Sequence, residues 1–98
     1  IEYDETSWQK VMTKEGADIA VAGAEERLAA LDEWTVESVE AALREMLETL
    51  ELSARKGLQP LRVAVSGSSV SPPLFESIAA LGQDRTVARL GEAMARLQ

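Results

Sequence analysis

Gln59-Pro60-Leu61-Arg62-Val63-Ala64-Val65-Ser66-Gly67, QPLRVAVSG, is the stretch whose reading decides the fold. Leu61 to Val65 alternates in a way that suits a half-buried strand. Pro60 is equally suited to the first position of a helix, where its missing N–H costs nothing, and Gly67 to the position just past a helix end. The rest of the chain breaks the tie. It offers no second convincing strand, and a lone strand leaves its backbone donors and acceptors unpaired. QPLRVAVSG therefore predicts a short helix that begins at Pro60 and stops before Gly67, and the chain reads as all-α with five to six helices.

Working downstream, Ser66 to Val70 is a loop. Ser71-Pro72-Pro73 reads as an N-cap followed by prolines in a first helical turn. Phe75, Ile78 and Leu81 give that helix a buried face, and Gly82 ends it. Asp84 is the expected cap of a last helix whose stripe is Val87, Leu90, Met94 and Leu97. Upstream, Ser53-Ala54-Arg55-Lys56-Gly57 reads as the basic, glycine-terminated end of a third helix. That helix starts after Thr35, with Trp34 stapled on Val39 and Val36, Leu43, Met46, Leu47 and Leu50 on its apolar side. A second helix spans about Lys14 to Leu31 on Ala17, Ala20 or Val21, Ala24, Leu28 and Leu31, and close helix approach is the expected reason for Gly16 and Gly23. A short first helix begins at Asp4 and presents Trp8, Val11 and Met12. Both tryptophans read as core packing rather than base-stacking surfaces.

Ninety-eight residues with 46% apolar and 28% charged content make one globular domain over 1–98. Residues 1–13 read as a junction with a preceding domain, and the initial Ile1 as the mark of a fragment or processed chain. The absence of cysteine and histidine excludes disulfides, thiol nucleophiles, histidine acid–base catalysis and the common zinc sites. No run is long enough for a membrane span. Ser66-Gly67-Ser68-Ser69 lacks the spacing of a Walker loop. The acidic residues of the first half lie on solvated helix faces, so a catalytic carboxylate pair is not expected.

The net charge of −7 argues against a polyanionic partner, but its distribution is uneven. Residues 1–52 carry four basic and fourteen acidic side chains, and residues 53–98 carry six basic and three acidic. The acidic half reads as a solubilising surface, and only the second half can face an anion. A helical docking domain, whose acidic half meets a basic protein, stays open as an alternative function.

QPLRVAVSG is followed by Ser71-Pro72-Pro73-Leu74 and then by Leu81-Gly82-Gln83-Asp84-Arg85. These three linked motifs, with Trp8, Trp34-Thr35 and Lys56-Gly57, resemble the carboxyl-terminal part of bacterial glutamyl-tRNA synthetases over essentially the whole chain. The resemblance implies a helical anticodon-binding domain at the end of a class I, cytoplasmic aminoacyl-tRNA synthetase. This domain has no cofactor and is not catalytic alone; ATP and magnesium serve the catalytic domain of the full-length enzyme. The implied partners are the anticodon loop of the glutamate tRNA and the rest of the synthetase chain, with no membrane and no DNA. By position in the family motifs, Arg62, Ser71, Pro72 and Leu74 are the implied anticodon contacts. Pro73, at a variable position, removes a backbone N–H that could have met RNA.

The side chains suit that role on their own chemistry. Arg62 offers a planar fork of donors for base carbonyls or a phosphate, although a salt bridge to Glu76 or Asp84 is its competing use. Ser71 can read a base edge, and Pro72, Pro73 and Leu74 form an apolar ledge for a base face. Lys56, Arg85 and Arg89 are candidate phosphate contacts.

Overall fold

The computed structural model describes residues 2–69 and 73–97. Among them are six helices and no strand: α1 (Glu5–Ser7, continuing as a π-helical turn over Trp8–Met12), α2 (Ala17–Ala29), α3 (Val36–Leu50), α4 (Ala54–Ser66), α5 (Leu74–Leu81) and α6 (Gln83–Leu97). The all-α expectation is borne out, and QPLRVAVSG is helical.

α2 is the central element, packed by α3, α4 and α6. Its buried residues explain how one helix serves three neighbours: Ala17, Ala20, Val21 and Ala24 are small, and Leu28 fills the far end. Small side chains let backbones approach, so close-packed contact replaces bulk. Gly23 shows the limit of that approach. A Cβ there would lie 3.1 Å from Leu50 Cδ1 and 3.2 Å from Met46 Cγ, as expected for a close crossing. Gly16 has a different reason from the expected one. It caps α2 at φ 93°, so the helix begins at Ala17 rather than Lys14, and glycine's tolerance of left-handed backbone makes the turn.

α3 follows the sequence reading closely. The Thr35 hydroxyl accepts the Ser38 N–H at 3.0 Å and the Ser38 hydroxyl accepts the Thr35 N–H at 2.9 Å, a reciprocal cap. Val39, Leu43, Met46 and Leu47 are buried. The helix stops at Leu50, where Glu51 turns left-handed at φ 56° and the Leu52 N–H closes on the Leu47 carbonyl at 2.9 Å. The Trp34 indole N–H donates to the Ala79 carbonyl at 3.2 Å, tying the start of α3 to α5. Trp8, only 6% exposed, meets Tyr3 in an edge-type contact at a centroid distance of 4.8 Å. Arg96 lies over the rings of both Trp8 and Tyr3 and pairs with Glu5. Both tryptophans are structural, as expected.

α4 corrects the reading of its own beginning. Ser53 to Gly57 does not end α3. Ser53 caps α4, accepting the Lys56 N–H at 3.2 Å, and the helix runs on through Gly57 and Pro60. Pro60 is thus interior rather than first, at the cost of one backbone hydrogen bond. Tertiary burial offsets that cost: Gly57, Pro60, Leu61, Val63, Ala64 and Val65 are all buried. α3 packs closely on Gly57; a Cβ would fall 2.0 Å from Leu47 Cδ2, so that side chain would have to move. Gly67 ends α4 as expected, at φ 84° with its N–H on the Val63 carbonyl at 2.8 Å.

Two further expectations are revised. Pro73 stands at the cap position of α5, so no proline lies in its first turn; Ser71, the expected cap, and Pro72 lie outside the described residues. Gly82 does end α5, but α6 follows at once from Gln83, so Asp84 sits in the first turn rather than at the cap. The buried stripe of α6 is Thr86, Leu90 and Ala93, one step round from Val87 and Met94. The Gln83 carboxamide explains the tight corner. Its Nε2 donates at 2.9 Å to the carbonyls of both Leu28 and Leu31, closing the end of α2.

Candidate nucleic-acid interface

Arg62 lies half-buried in the last third of α4, and the carbonyl of the same residue accepts the Ser66 hydroxyl. Residues four and seven apart share a helix face, so Arg55, Gln59, Arg62 and Ser66 run along one side of α4. At 1.5 Å per residue, Arg55 and Arg62 are separated by about 10 Å along the axis. That line ends at Gly67 and the following turn, where the Ser69 N–H donates to the Ser7 hydroxyl at 3.1 Å.

Leu74 is placed differently from the expected ledge. It opens α5 and is 3% exposed, packed in the main core, so its side chain does not face outward. Pro73 beside it is exposed and is the apolar surface available there. Ser71 and Pro72 lie outside the described residues. Of the expected set, the described residues therefore leave Arg62 on α4 and Pro73 at the start of α5, two helices that pack on each other.

The candidate phosphate contacts divide. Lys56 and Arg85 are exposed. Arg89 has a structural partner: its guanidinium donates to the Val65 carbonyl at 2.6 Å, satisfying an open acceptor at the end of α4.

The structure groups Lys56 with three basic residues that the sequence reading passed over. A groove of about 810 Å³ opens between the π-helical turn and the first turns of α4. Lys10, Lys14, Arg55 and Lys56 line it, with Gln59 on its α4 side and Val11 and Pro60 as apolar surface. One carboxylate, Glu15, borders it. The clue in the sequence was α4 itself: had the helix been started at Ser53, Arg55, Gln59 and Arg62 would have fallen on one face.

An anticodon binding domain model matches residues 1–94. The chain belongs to the anticodon-binding domain family. It is 48% identical over 97 residues to the glutamate–tRNA ligase of Mycolicibacterium smegmatis and 41% identical over 96 residues to that of Stenotrophomonas maltophilia. Each match covers 98% of this chain and 20% of the relative, so the chain spans about a fifth of the length of the curated relatives it matches. That fifth is their carboxyl-terminal end. The fold also matches a crystal structure of a glutamate tRNA ligase from Elizabethkingia meningosepticum in complex with its amino acid. The TM-score is 0.87 at 21% identity, over 99% of this chain and 19% of that one. None of the described helices is long and apolar enough to cross a membrane.

Proposed function

We propose that this anticodon-binding domain reads the anticodon loop of a glutamate tRNA as the carboxyl-terminal part of a cytoplasmic glutamate–tRNA ligase. The ligation of glutamate, with its ATP and magnesium, takes place in the remainder of that enzyme. The observation that carries the reading is the match of nearly the whole chain to the carboxyl-terminal ends of glutamate–tRNA ligases, with half-buried Arg62 on α4 at the position that the family motif marks.

The chemistry fits base recognition. Anticodon bases are unstacked and expose their edges, which a guanidinium fork can meet with paired donors. Ser71, Pro72 and Leu74 complete the proposed contact set. From its buried side-chain position, Leu74 offers RNA its backbone rather than a ledge, and Pro73 supplies the apolar surface.

The test is a titration of this chain with the anticodon stem-loop of a glutamate tRNA and with the same stem-loop carrying substituted anticodon bases. Arg62→Ala should weaken cognate binding by on the order of 1–3 kcal/mol and narrow the gap between the two RNAs. Unchanged cognate binding in a folded Arg62→Ala protein would remove Arg62 as a reader. Equal binding of both RNAs by the unaltered chain would remove anticodon reading itself.

A further inference from the structure

We propose that the groove between the π-helical turn and the first turns of α4 holds the sugar-phosphate backbone of a single-stranded RNA segment, with Lys10, Lys14, Arg55 and Lys56 against its phosphates. The proposal rests on the RNA-binding reading above and extends it to a separate surface made largely of residues outside the base-contact set.

The first argument is how the basic residues are used. Among the described residues, Arg27 and Arg44 are paired with Glu45 and Glu40, Arg96 with Glu5, and Arg89 with the Val65 carbonyl. The side chains of Lys10, Lys14, Arg55 and Lys56 enter no ion pair or hydrogen bond with another described residue. In a chain of net charge −7, fourteen carboxylates lie in the same half as Lys10 and Lys14. Yet four cations converge on one groove whose acidic lining, among the described residues, is Glu15 alone.

The second argument is that their local placement is unfavourable in the chain alone. Arg55 and Lys56 occupy the first turn of α4, which has no acidic residue, against the positive end of the helix dipole. Lys10 and Lys14 stand four residues apart and add like charge to the same space. Charges held where the fold resists them are explained by a bound anion that reverses the sign of the local field.

The third argument selects the anion. Gln59 lines the groove's α4 side, and its carboxamide can pair with a ribose 2′-hydroxyl or a base edge, neither of which a free phosphate has. Val11 and Pro60 offer apolar surface for sugar or base. Cations, one carboxamide and apolar surface together describe a nucleotide strand rather than a free phosphate. The line from Arg55 through Gln59 to Arg62 then joins this track to the proposed base contact.

The experiment measures binding of the anticodon stem-loop to this chain, whose core is closed by its own helices, as a function of salt. Each lost phosphate contact on a single strand lowers the slope of log K against log salt by about 0.7. The paired variants Lys10→Ala/Lys14→Ala and Arg55→Ala/Lys56→Ala should each lower it by about twice that. Cognate and base-substituted RNAs should be weakened alike, thermal stability should be held or raised, and inorganic phosphate should not displace the RNA. Arg27→Ala, a cation outside the groove that pairs with Glu45, should leave the slope unchanged. If the unaltered chain binds and the paired variants keep its slope, or Arg27→Ala lowers it equally, the groove is not the track and the anticodon reading stands. If the unaltered chain binds no stem-loop, both readings fall together.

Discussion

Ser7 and Ser69, separated by 62 positions in sequence, face each other with their hydroxyl oxygens 3.2 Å apart. The Ser7 hydroxyl accepts the Ser69 N–H at 3.1 Å and donates to Asp4 Oδ2 at 2.7 Å. A side chain only 5% exposed thus fastens the cap of α1 to the turn that follows α4. Ser7→Ala removes both roles and leaves the Ser69 N–H without its acceptor. The expected loss is about 1–2 kcal/mol of unfolding free energy, read as a lower urea midpoint with an unchanged slope. A midpoint equal to that of the parent chain would show that water replaces the hydroxyl without cost.

The same cap carries a pH signature. Hydrogen bonds from the Ser7 hydroxyl and then from the Ser7 N–H hold the Asp4 carboxyl below the ordinary aspartate value. A carboxyl whose folded value is depressed contributes stability above its unfolded value, and that contribution disappears as pH falls through the folded value. Asp4→Asn removes the titration. The stability difference between parent and variant should be constant near neutrality and shrink in the acid range, below the ordinary aspartate value. Urea midpoints collected down that range check it; a difference independent of pH would contradict the assignment.

Much of this arrangement was legible in the residues. Thr35 and the stripe from Val39 to Leu47 define α3 by capping and periodicity alone, and Gly67 marks the end of α4. What misled was residue chemistry that burial overrides. Basic residues followed by Gly57 resemble a helix end, and Pro60 resembles a helix start, yet both are interior: Leu47 of α3 packs on Gly57, and Pro60 is itself buried. Thr86 gave no apolar signal, so the stripe of α6 read one step off. The base-contact candidates were found through linked motifs. The groove was not, because Lys10 and Lys14 meet Arg55 and Lys56 only after α1 and α4 pack side by side.

Gln83 gives a prediction about the corner between α5 and α6. Its carboxamide nitrogen serves two carbonyls at the end of α2, those of Leu28 and Leu31. Gln83→Leu keeps the size and deletes the donors, with an expected loss of about 1–3 kcal/mol. Gln83→Glu should be worse, since a carboxylate then faces two carbonyl oxygens, and acidification should recover part of the loss by restoring a donor. Denaturant unfolding of both variants at two pH values tests the order; equal stability of the two would show that the carbonyls draw on solvent instead.

Gly16 and Gly67 allow backbone strain to be separated from steric conflict. Both are left-handed, at φ 93° and ψ −10° and at φ 84° and ψ −5°. A Cβ on Gly16 would meet Leu52 Cδ2 at 3.7 Å, an ordinary contact, whereas one on Gly67 would fall 2.3 Å from the Glu2 carbonyl oxygen. Gly16→Ala should therefore lose only the conformational difference, about 1–2 kcal/mol. Gly67→Ala carries that same strain and must also push away residues 2–4, breaking the 2.7 Å bond from the Asp4 N–H to the Gly67 carbonyl. Its loss should exceed that of Gly16→Ala by about 1 kcal/mol or more, the typical contribution of one such bond. Freed residues before α1 should also become the preferred site of limited proteolysis in Gly67→Ala and not in Gly16→Ala. Matching losses and matching cleavage in the two variants would mean that the first residues do not hold the end of α4 in solution.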